Sequence, residues 1–267
     1  MTTNEINAPG TFCWMELQTS DRAGAIAFYG SLFGWGTTDV PVGDGLVYSM
    51  IDLGGKSIGG MWQMGDDTPA GTRPAWRLHI AATDVDESVA HARTLGADVL
   101  MEPHDVMDIG RMAVLRDPTG AVIALWEARG FGGFEVVMAP GSLTWAELAT
   151  HDMAAARDFY SALVGWGSED LPGPTAYAVF TTEGSTPVAG VMGMDDGFPP
   201  DALPAWVPYL AVLDVDDILA RAGSIGGRTL MGPMDTPYGR LAVLADPQGA
   251  VLSIIRPDRD PVPAPGG

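Results

Sequence analysis

The chain has 267 residues, which at roughly 100–200 residues per domain is enough for two domains with separate cores. Hydrophobic residues make up 46% and charged residues 18%, a composition that excludes disorder along the whole chain. A formal net charge of −20 would repel a phosphate backbone and argues against a nucleic-acid partner. The single cysteine, Cys13, excludes an intrachain disulfide and a cysteine-rich zinc site.

The first residues contain no basic region followed by an apolar core, and no stretch reaches the roughly 18 apolar residues that span a bilayer. We therefore expect a cytoplasmic protein with no membrane partner.

The first strand-like segment, WMELQTSD, alternates apolar and polar residues and ends at Asp21, which can cap a following helix. Ala25, Tyr29 and Leu32 then recur at helical spacing, and Gly34 ends the helix. Three strand-like runs follow, at 36–41, 45–53 and 56–63. This piece is predicted to be β-α-β-β-β.

A second piece of the same kind follows within the first half. RLHIAATDVD is a strand that ends at the capping residue Asp84, Val85 and Val89 mark the helix, and Gly96 ends it. Its three strands are predicted at 97–102, 111–117 and 121–127.

The second half of the chain repeats the first at an offset of about 130 residues. GTFCWMELQTSD (10–21) returns as GSLTWAELATHD (141–152), and FYGSLFGWG (28–36) returns as FYSALVGWG (159–167). The segments 74–90 and 110–126 likewise return at 204–220 and 239–255. The chain is therefore expected to hold four β-α-β-β-β modules.

Each half contains an Asp-Pro-x-Gly segment before its last strand, at 117–120 and 246–249. Asp first, Pro second and Gly fourth suit a type I turn. We interpret both segments as structural turns.

These paired modules, with a helix that reads FYxxLFGW and a DPxG turn, resemble the vicinal oxygen chelate superfamily of glyoxalase, bleomycin-resistance and extradiol dioxygenase proteins. The WxxLQTxD opening and the GRMAVxxDPTGA segment are similar to two-domain actinobacterial members, which include a mycobacterial culture-filtrate antigen. The resemblance implies an α+β fold of two tandem domains, at 10–130 (modules 10–65 and 74–128) and 140–258 (modules 141–195 and 204–257).

The resemblance also implies a half-barrel around a pocket, often with a divalent metal. Metal-dependent members commonly carry a His about seven residues before the aspartate that opens the helix, and a Glu about seven residues after the DPxG aspartate. The corresponding residues of this chain are Trp14, Arg77, Ala124, Trp145, Val207 and Ser253. None of these is a usual ligand for a hard or borderline metal, so no cofactor is predicted.

Residues two apart in a strand share a face, so Glu16 shares the face of Trp14, and His79 shares the face of Arg77. A carboxylate opposite a His or Tyr in an apolar pocket can act as an acid–base pair. The predicted catalytic residues are Glu16 as base, His79 or Tyr209 as acid partner, and Glu147 as the repeat of Glu16. Glu16 and His79 could instead simply pair with each other inside the barrel.

The predicted ligand-binding residues are aromatic, sulfur-bearing or cationic: Trp14, Met61, Trp62, Arg77, Arg111, Trp126 and Trp145. Arg111 could equally pair with a nearby Asp. His104 is placed in a loop. Trp76 and Trp206, each after Pro-Ala, are expected to anchor the junction between modules.

Three functional hypotheses remain. The first is a metal-independent enzyme that acts on a hydrophobic or aromatic, carbonyl-bearing small molecule by isomerase, lyase or cyclase chemistry, in the first half of the chain. The second is a binding protein that sequesters a small molecule, as resistance proteins do. The third is a metal-dependent glyoxalase or dioxygenase, which would need an unusual site from Glu16, His79 or His104. Monomer and homodimer, and the pairing of the modules, stay open.

Overall fold

A computed structural model describes residues 6–258, apart from eight single positions: Asp44, Asp67, Ala70, Pro174, Glu183, Gly184, Asp196 and Pro200. The elements of the first half are β1 (Phe12–Thr19), α1 (Arg22–Phe33), β2 (Gly36–Pro41), β3 (Val47–Leu53), β4 (Lys56–Gln63), β5 (Ala75–Ala81), α2 (Val85–Thr94), β6 (Asp98–Val106), β7 (Gly110–Arg116) and β8 (Val122–Ala128). The second half has β9 (Leu143–Thr150), α3 (Met153–Val164), β10 (Gly167–Leu171), β11 (Tyr177–Thr181), β12 (Pro187–Gly193), β13 (Ala205–Ala211), α4 (Val215–Ser224), β14 (Arg228–Thr236), β15 (Gly239–Ala245) and β16 (Val251–Pro257). None of the helices within the described residues has the length and apolar character needed to cross a bilayer.

The four predicted β-α-β-β-β modules are confirmed, and the residues predicted to bound the helices do so. The Asp21 carboxylate accepts the backbone N–H of Gly24 at 2.9 Å and begins α1. Gly34 ends the same helix in the left-handed conformation, at φ 71°, which glycine adopts without steric cost. The other three helices are capped by the corresponding aspartates Asp84, Asp152 and Asp214.

The strands form two eight-stranded sheets, in the orders β2-β3-β4-β1-β5-β8-β7-β6 and β10-β11-β12-β9-β13-β16-β15-β14. Within each module the last strand pairs in parallel with the first, and the remaining pairs are antiparallel. The predicted α+β fold of two tandem domains is thus confirmed.

The chain divides into two compact units that each combine modules from both halves. One unit contains Met1–Met15, Arg77–Glu135 and Trp145–Val207, and in it α2 packs against α3. The other unit contains Glu16–Trp76, Val136–Thr144 and Pro208–Gly267, and in it α1 packs against α4. Within each unit, a helix of one half of the chain therefore contacts a helix of the other half.

In the α1/α4 unit, the second DPxG turn holds the two modules together through a buried hydrogen-bonded chain. One carboxylate oxygen of Asp246 accepts the backbone N–H groups of Gln248 (2.9 Å) and Ala250 (2.8 Å). The other accepts the hydroxyl of Tyr29 at 2.9 Å, and the Tyr29 oxygen accepts the indole N–H of Trp76 at 3.1 Å. The turn is structural, and Trp76 contributes to the junction between modules as expected.

The α2/α3 unit repeats this arrangement. The Asp117 carboxylate accepts the backbone N–H groups of Thr119 and Ala121 and the hydroxyl of Tyr160, the last at 2.8 Å. Trp206 donates its indole N–H to the Tyr160 oxygen at 2.7 Å. Each unit therefore has one buried aspartate that satisfies a turn and a helix tyrosine together.

The buried Asp246 leads to a pH-dependent prediction. Burial raises the pKa of its carboxyl above the usual range, because removal from water disfavours the charged form. The folded protein therefore binds this proton at a higher pH than the unfolded chain does. Protonation of Asp246 stabilises the folded state relative to the unfolded chain, and this stabilisation is lost as pH rises through the folded pKa. We expect the free energy of unfolding, measured in urea relative to Asp246→Asn, to increase as pH falls from about 7 to about 4. A difference that stays constant or decreases over this range would contradict the prediction.

Candidate functional site

Glu16 lies on one face of β1, and the residue as a whole is only 6% exposed. Gln18, two residues on, shares this face. In the parallel pairing of β1 with β4, Glu16 lies beside Gly60, and Gln18 lies beside Trp62. We call the set Glu16, Gln18, Tyr48, Gly60 and Trp62 the Glu16 face.

Tyr48 completes the Glu16 face from β3, where it pairs with Trp62 across the strands. Its hydroxyl donates to Oε2 of Glu16 at 3.4 Å. A Cβ atom at Gly60 would lie 2.1 Å from the Tyr48 hydroxyl oxygen, so only glycine at position 60 leaves room for the tyrosine to cross β4. The absent side chain of Gly60 therefore positions the Tyr48 hydroxyl against the Glu16 carboxylate.

Sequence reasoning did not identify Tyr48 or Gly60. The internal repeat could have identified both residues, because Tyr48 recurs as Tyr177 and Gly60 recurs as Gly190 in the second half. Their proximity depends on strand register, because 32 residues separate Tyr48 from Glu16.

Half-buried apolar side chains extend the Glu16 face. Met50 pairs with Gly60, and Val40 pairs with Tyr48 at the outer edge. Trp62, predicted to bind ligand, is half-buried on this face. Met61, predicted for the same role, lies beside Leu17 on the opposite face of the sheet and is fully buried. The apolar wall next to Glu16 thus consists of Trp62, Met50 and Val40.

The other predicted residues of the first half belong to the α2/α3 unit. His79 lies on β5 beside Ala124 of β8 and is 2% exposed, and Arg77 shares its face. Trp14 packs edge-to-face on Phe131, with ring centroids 5.0 Å apart. Trp126 donates its indole N–H to the carbonyl oxygen of Phe131 at 2.9 Å. Phe131, which sequence reasoning did not single out, therefore contacts both tryptophans.

Arg111, a predicted ligand-binding residue, forms ion pairs with two aspartates. Its guanidinium donates to Asp86 at 2.6 Å and to Asp105 at 2.8 Å. These hydrogen bonds hold the pKa values of both carboxyls below their usual range. The alternative that Arg111 pairs with a nearby Asp is the one that the structure shows. Arg240 pairs in the same way with Asp216 and Asp235.

In the second half, Glu147 lies on β9 beside Gly190 of β12 and is 8% exposed. The indole N–H of Trp145 donates to the Tyr177 hydroxyl at 3.2 Å. Tyr209 lies on β13 beside Ser253 of β16, in the α1/α4 unit, and is buried.

The residues at the metal-ligand positions of the family do not suit a metal ion. Trp14, Arg77 and Ala124 offer an indole, a guanidinium and a methyl group, and the corresponding residues of the second half are Trp145, Val207 and Ser253. These groups lack the imidazole, carboxylate or thiolate that such metals need. His104 lies in β6 and is exposed, which corrects its expected placement in a loop.

Three carboxylates elsewhere, those of Asp84, Asp86 and Glu127, have oxygens within 4.8 Å of one another. Each has another structural role. Asp84 caps α2, Asp86 pairs with Arg111, and Glu127 accepts the backbone N–H of Val85. This cluster is therefore explained by local structure.

Gly60→Ala is expected to separate Tyr48 from Glu16 without unfolding the protein. The new methyl group would occupy the position of the Tyr48 hydroxyl, and the half-buried tyrosine can rotate away. If Glu16 acts on a ligand, ¹H NMR of proton exchange between 2-tetralone and D₂O should show a rate at least about 10-fold lower in Gly60→Ala, with the same loss in Tyr48→Phe, which removes only the hydroxyl. Gly65→Ala, where a Cβ has no atom within 4 Å, is the matched control. Full activity in both Gly60→Ala and Tyr48→Phe would contradict a role for the hydroxyl.

Comparisons with known proteins agree with this fold. Residues 14–126 match the model of the glyoxalase-like domain, and residues 142–254 match that of the glyoxalase/bleomycin resistance protein/dioxygenase superfamily. The chain therefore belongs to the glyoxalase, or vicinal oxygen chelate, superfamily, with two tandem domains.

Two relatives match almost the whole chain. The candidate glyoxylase CFP32 of Mycobacterium tuberculosis is 40% identical over 253 residues, which cover 93% of this chain and 95% of the relative. The anthracycline biosynthesis protein DnrV of Streptomyces peucetius is 37% identical over 273 residues, which cover 97% of this chain and 98% of that relative. Among solved structures, the Mn(II)-bound glyoxalase from Novosphingobium aromaticivorans is similar with a TM-score of 0.62 and 16% identity, covering 96% of this chain and 88% of that chain. At that identity the likeness concerns the fold alone.

Proposed function

We propose that this protein is a metal-independent enzyme that catalyses proton transfer on an aromatic, carbonyl-bearing small molecule, with Glu16 as the general base. The observation that carries the proposal is the buried Glu16 carboxylate, hydrogen-bonded to Tyr48 and bordered by Trp62 and Met50. At the positions where metal-dependent members of the family carry ligands, this chain has side chains such as Trp14, Arg77 and Ala124, which do not bind divalent metals well. This supports chemistry that needs no metal.

The environment of Glu16 suits a base. A carboxylate held on a largely buried face beside apolar side chains is positioned to accept a proton from a ligand bound there. The Tyr48 hydroxyl donates to Oε2 of Glu16 and so helps to orient the carboxylate toward a bound substrate. Gln18, on the same face, carries amide N–H groups that could donate to the substrate oxygen as it becomes negatively charged.

The proposed step balances without an oxidant or a metal. Glu16 removes a proton from the carbon next to the substrate carbonyl, and the electron pair moves onto the carbonyl oxygen to form an enolate. Where the enolate is conjugated with a neighbouring double bond, return of the proton to the far carbon of that system gives an isomer. Attack of the enolate on a second carbonyl of the same molecule gives a ring, with the proton delivered to the new alkoxide.

The aromatic substrate class is supported by the wall of the Glu16 face and by one relative. A tryptophan beside a methionine offers a flat, polarizable surface for a planar ring. DnrV is named for anthracycline biosynthesis, and anthracyclines are fused-ring aromatic carbonyl compounds. We therefore propose a fused-ring aromatic ketone as the substrate.

The test uses 2-tetralone, a small fused-ring ketone with acidic protons next to its carbonyl. Protein and ketone are mixed in buffered D₂O, and ¹H NMR follows the loss of the proton signal at carbon 1. The proposal predicts exchange at least about 10-fold faster than in buffer, with the acceleration lost in Glu16→Gln. Exchange at the buffer rate, or equal exchange with Glu16→Gln, would count against it. A protein that binds 2-tetralone without accelerating exchange would instead be a binding protein.

Removal of divalent metal is expected to leave this exchange unchanged. The proposed step uses only the Glu16 face, and the usual ligand positions carry no metal-binding side chains. The exchange rate is compared before and after dialysis against a chelator, and again after addition of Mn²⁺. A rate that falls on dialysis and returns with Mn²⁺ would show that a metal takes part.

A further inference from the structure

We propose that Trp62 determines which compounds the Glu16 face accepts, with its indole N–H donating a hydrogen bond to the ketone oxygen of the substrate. Trp62 takes this role in the proton transfer proposed for Glu16, on which the inference rests. The substrate class is thereby narrowed to planar ketones whose oxygen is open to a hydrogen-bond donor.

Trp62 differs from the other tryptophans in its contacts. Trp14 packs on two phenylalanine rings. Within the part of the chain that the structure describes, Trp62 makes neither a hydrogen bond nor an aromatic contact. Buried indole N–H groups usually have a protein partner, so the donor of this half-buried side chain is available to a ligand. Six of the eight tryptophans donate their indole N–H to a protein oxygen: Trp35, Trp76, Trp126, Trp145, Trp166 and Trp206.

The strand register brings Trp62 close to the proposed base. Trp62 lies between Gln18 of β1 and Tyr48 of β3, and Glu16 is the next residue along this face of β1. Neighbouring strands are about 4.8 Å apart and two residues span about 6.7 Å, so the Cα atoms of Glu16 and Trp62 are about 8 Å apart. The carbon that loses a proton is bonded directly to the carbonyl carbon, so one small ketone can contact both side chains.

The internal repeat shows which features of this face changed together. The second half keeps the glutamate, the tyrosine and the glycine of the Glu16 face. It carries Met192 at the position of Trp62 and Ala149 at the position of Gln18. Methionine and alanine have no side-chain N–H group, so the repeated face lacks both donors at these positions. This difference supports recognition of an oxygen acceptor by the first face.

An indole N–H suits the oxygen of a ketone that is losing a proton. It donates a hydrogen bond and cannot accept one, so it favours an oxygen that gains negative charge. A donor held in place stabilises the enolate more than the neutral ketone, which lowers the barrier to proton removal. Met50, which pairs with Gly60 on the same face, is then placed to contact the planar ring of the substrate.

The test compares 2-tetralone with tetralin, the hydrocarbon that has the same two rings and lacks the oxygen. Dissociation constants of both compounds are measured by ligand-observed NMR for the unaltered protein and for Trp62→Phe, which keeps an aromatic ring and removes the N–H. We expect the preference for the ketone to fall about 3–10-fold in Trp62→Phe, the range of one neutral hydrogen bond. Contacts with the rings affect both compounds alike and cancel in the ratio.

Proton exchange of 2-tetralone in D₂O is the second readout. In Trp62→Phe, exchange at a saturating ketone concentration is expected to be at least about 3-fold slower, because the enolate loses a donor. Trp62→Met, which introduces the residue of the repeat, decides the outcome if Trp62→Phe does not fold. Tyr238→Phe removes a hydroxyl from an exposed aromatic residue, and this control is expected to leave both dissociation constants unchanged.

Three results would overturn the role of Trp62. They are the absence of any preference for the ketone in the unaltered protein, an unchanged preference in Trp62→Phe, and equal weakening of both compounds. Failure of the proposed proton transfer is distinguishable, because the unaltered protein would then exchange 2-tetralone at the buffer rate. A protein that prefers the ketone through Trp62 without accelerating exchange would support Trp62 as the oxygen-recognising residue of a binding protein.

Discussion

Glu16→Gln is expected to lower the turnover of an aromatic ketone substrate by about 10²–10⁴-fold, the range that a positioned general base contributes. The amide keeps the shape of the side chain, and its oxygen can still accept the Tyr48 hydroxyl. It has no basic oxygen to receive a proton, so the chemical step is lost while the binding surface remains. The measurements are exchange of 2-tetralone in D₂O for turnover and quenching of tryptophan fluorescence for binding.

Glu102→Gln is the matched control, since Glu102 is exposed on β6 and pairs with Arg93 at the surface. Its activity is expected to equal that of the unaltered protein. The pattern for an enzyme is loss of turnover in Glu16→Gln with binding preserved. If Glu16→Gln weakens binding and no variant turns over substrate, the protein sequesters its ligand, and the proposed chemistry is wrong.

Asp246→Ala is expected to lower the free energy of unfolding by about 3–5 kcal/mol. Three donors lose their acceptor at once, namely two backbone N–H groups of the turn and the Tyr29 hydroxyl. Each buried donor left unsatisfied costs about 1–3 kcal/mol. Urea unfolding followed by fluorescence would measure the loss, and the repeat predicts a similar loss for Asp117→Ala.

The control for this change is Asp158→Ala, since Asp158 is exposed on α3 and a surface substitution of this kind changes stability by less than about 0.5 kcal/mol. Asp246→Asn should fall between the two, because its amide oxygen can still accept the turn N–H groups. A loss below about 1 kcal/mol in Asp246→Ala would show that the buried network does not hold the modules together.

Local sequence signals predicted the modules correctly. These signals are the aspartate caps, the glycine that ends α1 and the alternation of residues in β1. Each involves about ten neighbouring residues, whose conformation is set mainly by intrinsic propensity and by hydrogen bonds to nearby backbone groups. The repeat then extended these assignments to all four modules. The same signals carried the resemblance to the superfamily.

The sequence by itself determined the four β-α-β-β-β modules and the DPxG turns. Strand register decided that Trp62 lies on the Glu16 face, whereas Met61 packs with Leu17 on the other face. Only the tertiary structure showed that Tyr48 reaches Glu16 across Gly60, and that α1 packs with α4 and α2 with α3. These contacts join residues far apart in the chain, and they depend on strand order and on space left by a missing side chain, which no local pattern encodes.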